Sequence, residues 1–234
     1  MNQLRFALLA LLAFALATAA GAAERRENRT VSGFTAISLG ANVNLDVIQD
    51  GTESLMVEGD ERILDILETF VKDGTLNIKY RHGTRTWSPT RVHAVVHARR
   101  VEGLALAATG DIRSPSISGD SLTVSVAGSG NVDIAQLAVK KAQLAIGGSG
   151  DIAVSGRADE LQASISGSGD LKASKLETRS AVVSIAGAGD ATVWAREQLA
   201  ATISGAGTVR YYGDPGVVKS VRGMGDVSRV ATAP

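Results

Sequence analysis

Leu144-Ala145-Ile146-Gly147-Gly148-Ser149-Gly150-Asp151-Ile152-Ala153-Val154 decides the fold. Apolar and small residues alternate into a glycine-rich bend, the bend closes on an aspartate, and the alternation resumes. The pattern recurs along the second half of the chain with closing positions Asp111, Asn131, Asp151, Asp170, Asp190, Thr208 and Asp226, at intervals of 20, 20, 19, 20, 18 and 18 residues. A fixed period of that length is the signature of stacked repeats.

Five residues before each closing position stand Leu106, Val126, Ile146, Ile165, Ile185, Ile203 and Val221. One residue after stand Ile112, Val132, Ile152, Leu171, Ala191, Val209 and Val227. Polar residues fall out of phase with these columns: Ser125, Ser164, Ser184 and Thr202 before the bend, and Arg113, Asp133, Lys172, Thr192 and Arg210 after it. A period of two means strands with one buried face. A twenty-residue unit of this kind cannot bury its apolar face alone, whereas stacked units pair their backbones and share one core. The expected fold is all-β, a single-stranded right-handed parallel β-helix with rungs of about 20 residues and one short helix. The glycine before each closing residue, Gly110 through Gly225, marks a corner that needs either positive φ or the absence of a side chain against the adjacent rung. Aromatic content of 4% suits a narrow interior filled by Ile, Val, Leu and Ala.

Residues 29–101 are less regular. Val31–Leu39, Val43–Ile48, Leu55–Glu58 and Arg91–Ala98 alternate as strands do. A helix is expected over Glu61–Val71, with Asp60 as N-cap and Ile63, Leu64, Ile66, Leu67, Phe70 and Val71 at helical spacing. An amphipathic helix there would serve as a lid on the open end of the solenoid. Residues 1–23 read as an export signal: Arg5, an apolar run from Phe6 to Ala17, then small residues, with cleavage near Ala22 or Ala23. The run is too short for a comfortable membrane span. One β-helix domain over 24–234 accounts for the rest, with 102–234 as the regular part. The chain has no cysteine, which excludes a disulfide and a lipid-modified Cys, and its formal net charge is zero. A neutral chain argues against nucleic acid as a partner. A periplasmic or secreted protein is expected.

The segments Val31-Ser32-Gly33-Phe34-Thr35-Ala36-Ile37, Leu55–Glu61 and Asp73-Gly74-Thr75-Leu76-Asn77-Ile78, the Gly-Ser-Gly-Asp repeats, and Val209-Arg210-Tyr211-Tyr212-Gly213-Asp214-Pro215 together resemble the bacterial autotransporter adhesin head domain, also called the head GIN domain. The resemblance spans nearly the whole chain after the signal. It implies a right-handed β-helix in an exported bacterial protein of unestablished biochemical role, and it supplies no catalytic motif. Unlike a true autotransporter, the chain is expected to carry no C-terminal membrane β-barrel, since too few residues follow the last repeat.

Stacked rungs would place Asp111, Asn131, Asp151, Asp170, Asp190 and Asp226 in a column with a spacing of about 4.8 Å. One reading is architectural, since Asp and Asn bond local backbone at corners. A second is calcium, with Asp151, Asp170 and Asp190 as ligands, because hard cations take several oxygens. A third is polysaccharide hydrolysis by a carboxylate pair about 5–9 Å apart, although an active site should break the repeat with unlike residues. His82, His93 and His97 lack metal spacing and read as solvent-facing. Trp87, Tyr211 and Tyr212 are the aromatics expected to contact a partner or to cap the solenoid ends. The sequence therefore points to an exported, non-catalytic scaffold or binding module whose partner is an envelope polysaccharide or protein, with self-association through the solenoid ends also open. The alternatives are a polysaccharide-active enzyme using the Asp column and a calcium-stabilised module.

Overall fold

The computed structural model describes residues 24–83 and 92–231. The first stretch holds β1 (Glu24–Arg29), β2 (Ala36–Gly40), β3 (Val43–Gln49), β4 (Ser54–Asp60), α1 (Glu61–Leu64), β5 (Leu67–Lys72) and β6 (Thr75–Tyr80). β7 (Val92–Ala98), β8 (Gly103–Leu106), β9 (Ile112–Ser114), β10 (Ile117–Val126), β11 (Val132–Ile146) and β12 (Ile152–Ile165) follow, then β13 (Leu171–Ile185), β14 (Ala191–Ile203), β15 (Thr208–Tyr212), β16 (Gly216–Val221) and β17 (Asp226–Arg229). The expected signal segment, residues 1–23, lies outside the described residues.

From Gly103 onward the chain is a β-solenoid. β8, β10, β11, β12, β13, β14 and β16 stack in parallel as one sheet, and β9, the first residues of β11 to β14, β15 and β17 stack as a second. The register places each member of the interior column over the last: Leu106 on Val126, Val126 on Ile146, Ile146 on Ile165, Ile165 on Ile185 and Ile185 on Ile203. All six are at most 2% exposed. Each buried side chain of this size stabilises the fold by about 1.5–3 kcal/mol, and the column repeats that gain at every turn.

The corner glycines owe their place to space, since none of the Gly-x-Gly residues has positive φ. A Cβ on Gly148 would lie 2.0 Å from the carbonyl oxygen of Gly128, and one on Gly167 would lie 1.9 Å from that of Gly148. Those same carbonyls accept the N–H of Ser149 (3.0 Å) and Ser168 (3.0 Å). The corner thus stacks backbone directly on backbone.

The N-terminal part departs from simple stacking. β2 lies between β6 and β8, and β3 between β7 and β9, so the rung made first sits beneath one made later. β4 runs antiparallel to both β7 and β1, and β5 antiparallel to β6. The helix expected over Glu61–Val71 is a single turn, Glu61–Leu64, and Leu67–Lys72 is strand. Asp60 does cap the turn, accepting from the Arg62 N–H at 2.9 Å. Beyond it the β-branched Thr69 and Val71 and the aromatic Phe70 prefer the pleated sheet. Asp73 (φ 50°) and Gly74 (φ 71°) then form a two-residue loop with positive φ at both positions, which joins β5 to β6 as a hairpin.

Both ends of the stack carry charge where an open edge would invite pairing. At the N-terminal end β1 reads Glu-Arg-Arg-Glu-Asn-Arg, with Arg26 on Glu58 at 2.6 Å and Arg25 on Asp65 at 2.6 Å. The Arg29 guanidinium donates to the carbonyls of Leu64 (2.9 Å) and Leu67 (2.5 Å), which ties this strand to the single helical turn. At the other end, the interior column Leu104, Val124, Leu144, Ala163, Val183, Ala201 finishes on Lys219. Its ammonium reaches the carbonyl of Val227 at 3.5 Å. A cation at the mouth of an apolar column opposes the stacking of another rung.

Two outcomes are expected. Gly148→Ala places a methyl group against a backbone carbonyl and lowers stability in denaturant unfolding by about 3 kcal/mol or more, whereas Gly119→Ala, with nothing within 4 Å of the added Cβ, changes it by less than about 1 kcal/mol; equal effects would contradict the steric reading. Lys219→Val extends the apolar mouth and shifts the sedimentation distribution toward larger species than wild type at equal concentration, and an unchanged distribution would count against Lys219 as the stop.

Candidate functional site

The Asp column is spent on the backbone. The N–H groups of Asn131, Asp151, Asp170, Asp190 and Thr208 each donate to the Oδ1 of the residue one turn earlier, at 3.0, 3.0, 2.8, 2.9 and 2.8 Å. The carbonyls of the same residues accept from the turn before: Ile112 N–H to Asn131, Val132 to Asp151, Ile152 to Asp170 and Leu171 to Asp190, at 2.8–3.0 Å. The side chain therefore supplies the acceptor that the corner removes from the backbone ladder, where an unpaired N–H would be costly. The ladder starts at Asn44, whose Oδ1 faces the Asp111 N–H at 3.4 Å. Asn44 escaped sequence reading because no Gly-x-Gly precedes it. Asp226 lies exposed on the last rung, opposite Thr208.

The second carboxylate oxygen meets a base in several turns. Asp111 Oδ2 faces Arg113 at 3.2 Å, Asp151 Oδ2 faces Lys172 at 2.6 Å, and Asp190 Oδ2 faces Arg210 at 3.3 Å. Burial pushes the Asp151 carboxyl up, but the hydrogen bond from Lys172, that from the Asp170 N–H and the Lys172 charge together hold it below its ordinary value. Acid–base hydrolysis needs one carboxyl raised enough to keep its proton, and Asp151 is moved the opposite way. Among the described residues no group of three or more His, Asp or Glu side chains is arranged to hold a metal ion.

The histidines do not converge. His93 Nε2 stands 2.8 Å from Asp46 Oδ2, and His97 Nδ1 stands 2.6 Å from Asp50 Oδ2. The His97 hydrogen bond, followed by those from the Thr52 N–H and hydroxyl, holds the Asp50 carboxyl down at about 2. His82 is exposed in a turn after β6. Trp87 lies outside the described residues. Tyr211 and Tyr212 on β15 are half-buried, and Tyr211 packs against the core.

The most extended feature is a face rather than a cluster. On the sheet that runs from β6 through β2, β8 and β10–β14 to β16, two outward rows cross every strand. One row carries Thr123, Gln143, Gln162, Val182, Ala200 and Val218, and the other carries Ser125, Ala145, Ser164, Ser184, Thr202 and Ser220. Toward the N-terminus the rows continue through Gly103 and Ala105, Ala36 and Ser38, and Thr75 and Asn77. No position in either row is charged, in a chain that is 21% charged. The two rows are bordered by charge: the next outward row of the same sheet, Ser121, Lys141, Glu160, Ser180, Gln198 and Gly216, holds Lys141 and Glu160, and Lys79 follows Asn77 on β6. Further charge lies on the other sides, with Arg113, Asp133, Lys172 and Arg210 on the second sheet, and Glu177 with Arg196 (3.1 Å) and Arg157 (3.9 Å) and Arg179 with Glu160 (3.7 Å) toward the third side.

The model of the family described as "Putative auto-transporter adhesin, head GIN domain" matches residues 33–215. Among solved structures, one described as a putative adhesin from Bacteroides fragilis superposes with a TM-score of 0.84 at 25% identity, covering 90% of this chain and 98% of that one. One described as a putative lipid binding protein from Parabacteroides distasonis gives a TM-score of 0.72 at 23% identity, covering 88% and 96%. One described as a putative adhesin from Parabacteroides merdae gives 0.71 at 22%, with the same coverage. The last two likenesses establish the fold alone. Comparison with curated proteins gives no match.

Because the column acts as a hydrogen-bond ladder, Asp170→Ala leaves the Asp190 N–H without its acceptor and is expected to cost about 1–3 kcal/mol in thermal or denaturant unfolding. Asp170→Asn keeps an oxygen in place and recovers most of that loss, as Asn131 does naturally. Equal destabilisation by both variants would mean that the charge, not the hydrogen bond, is what this position contributes.

Proposed function

The chain belongs to the auto-transporter adhesin head GIN domain family, and from that premise we propose that it is an exported, non-catalytic binding module of the bacterial envelope, a rigid rod that holds an extended partner by side chains spread along its length. The observation that carries this reading is the pair of uncharged outward rows, which stays free of charge across nine strands while the sides around it carry ion pairs. A solenoid is suited to such work, because every turn repeats the same presentation at a spacing of about 4.8 Å and the stacked backbone holds it rigid.

Support for a non-catalytic role comes from the Asp column, whose oxygens serve backbone N–H groups and neighbouring bases and whose Asp or Asn recurs at every turn apart from Thr208. The same pairing supports a fold whose stability does not depend on calcium. Export enters through the sequence of residues 1–23 and through the family. Among the described residues no helix is long and apolar enough to cross a membrane.

The test incubates purified protein with a panel of envelope and extracellular polysaccharides and reads retention and new reducing or unsaturated ends in the same samples. Retention without new ends is expected. New ends would overturn the non-catalytic reading. A chelator is expected to leave the melting temperature unchanged, and a fall on chelation restored by calcium would favour the calcium-stabilised alternative.

A further inference from the structure

We infer that the uncharged face is the docking surface for an uncharged polysaccharide chain, lying along the solenoid axis and crossing the strands. This rests on the binding-module reading and specifies its surface and its class of partner.

Charge selects the partner first. Binding surfaces match their partners in potential, and neither outward row offers a cation to an acidic glycan or an acid to a basic peptide. The segregation is not an accident of the repeat, because the irregular strands β2 and β6 present Ala36, Ser38, Thr75 and Asn77 in the same rows.

Size selects next. Nine strands at about 4.8 Å and a width of four residues at about 3.3 Å give a strip roughly 40 Å long and 13 Å wide, or about 500 Å². A stable protein interface needs about 800 Å² on each partner. The strip is too narrow for a second copy, while its length suits one polymer chain laid lengthwise.

The chemistry of the rows fits a sugar chain, which has hydroxyl edges and apolar C–H faces. Thr123 donates to Gln143 at 3.2 Å and Gln143 to Gln162 at 3.1 Å. One turn further the row becomes aliphatic: Val182 is 50% exposed and Val218 is 74% exposed, with the smaller Ala200 between them as a notch. The adjoining row presents the Ser and Thr hydroxyls. The Ser, Thr, Ala and Val side chains have little rotamer freedom to lose on binding, and Gln143 is already held by its hydrogen bond to Gln162, so each sugar contributes a small gain that accumulates along the chain. Affinity should therefore rise with polymer length, as for any multivalent contact.

The experiment measures retention of the purified protein on microcrystalline cellulose, on laminarin as a second uncharged glucan, and on anionic alginate, with a length series of glucan oligosaccharides. Ser164→Glu and Val182→Glu place a charge at the centre of the strip; Ala153→Glu places the same charge on the second sheet as a control. All three sites face outward, and unchanged melting temperatures verify folding. The expected result is retention on an uncharged glucan that grows with chain length, resists salt, falls at least about tenfold in affinity in both central variants and is unaffected by Ala153→Glu. Retention that survives the central charges, or retention on alginate alone that salt abolishes, would overturn this inference while leaving a binding module in place. A dimer in sedimentation that Ser164→Glu dissolves would also overturn it, in favour of a second copy. Retention on none of the probes would count against this inference and against the polysaccharide-binding reading beneath it.

Discussion

The approach of one corner's backbone to the carbonyl of the corner beneath governs the rest of the structure. The Gly128 carbonyl accepts the Ser149 N–H and at the same time occupies the space that a Cβ on Gly148 would need. Only glycine permits both. Once that contact is made, the turn length is set near 20 residues, the column from Leu106 to Ile203 falls into register, and β9, β11, β12, β13 and β14 each start one residue beyond the closing Asp or Asn. The corner also takes the N–H of that closing residue out of the backbone ladder. The Oδ1 of the residue one turn earlier restores the bond, which explains why Asp or Asn recurs at a position that looks in sequence like a chain of ligands.

A rod built by stacking has two ends, and each is closed by a different physical means. At the N-terminal end the chain reverses direction: antiparallel β1, β4 and β5 flank the outermost rung, and arginine–carboxylate pairs cover the outer strand. At the C-terminal end the stack continues in parallel to its last rung and is interrupted from inside by Lys219, while Arg222 and Met224 replace the small residues of earlier corners. Terminal repeats of solenoids are atypical for this reason, since they meet water where the others meet a copy of themselves.

Much of this was legible in the sequence because it is local. The period, the interior columns at Ile146 and Ile152 and the corner glycines all repeat along the chain, and Asp or Asn at a corner already suggested backbone bonding. Where the sequence misled, long-range pairing was the cause. Helical spacing from Ile63 to Val71 is real, yet the Asp73-Gly74 turn and pairing with β6 draw Leu67–Lys72 into a sheet. The wedging of β2 and β3 between later strands leaves no trace in the order of residues, so Asp46 and Asp50 could not be assigned to His93 and His97. The uncharged face was half visible: Ser125, Ser164, Ser184 and Thr202 before the bend contrast with Arg113, Lys172 and Arg210 after it. Its continuation through Ala36, Ser38, Thr75 and Asn77 depends on that same out-of-order stacking.

The turns from β8 to β14 bury the same interior columns and pair their backbones turn on turn, so what distinguishes one side of the rod from another is the chemistry of its outward rows. On the charged sides many acids face bases, as Asp151 faces Lys172 and Glu177 faces Arg196. The uncharged side is the one left with surface to offer. The most direct measurement is the pattern of backbone amide chemical-shift changes when a soluble uncharged glucan oligosaccharide is titrated into isotope-labelled protein. The account predicts changes centred on the outward rows that pass through Gln143, Ser164 and Val182. Changes centred on Arg113, Lys172 and Arg210 of the second sheet would contradict it.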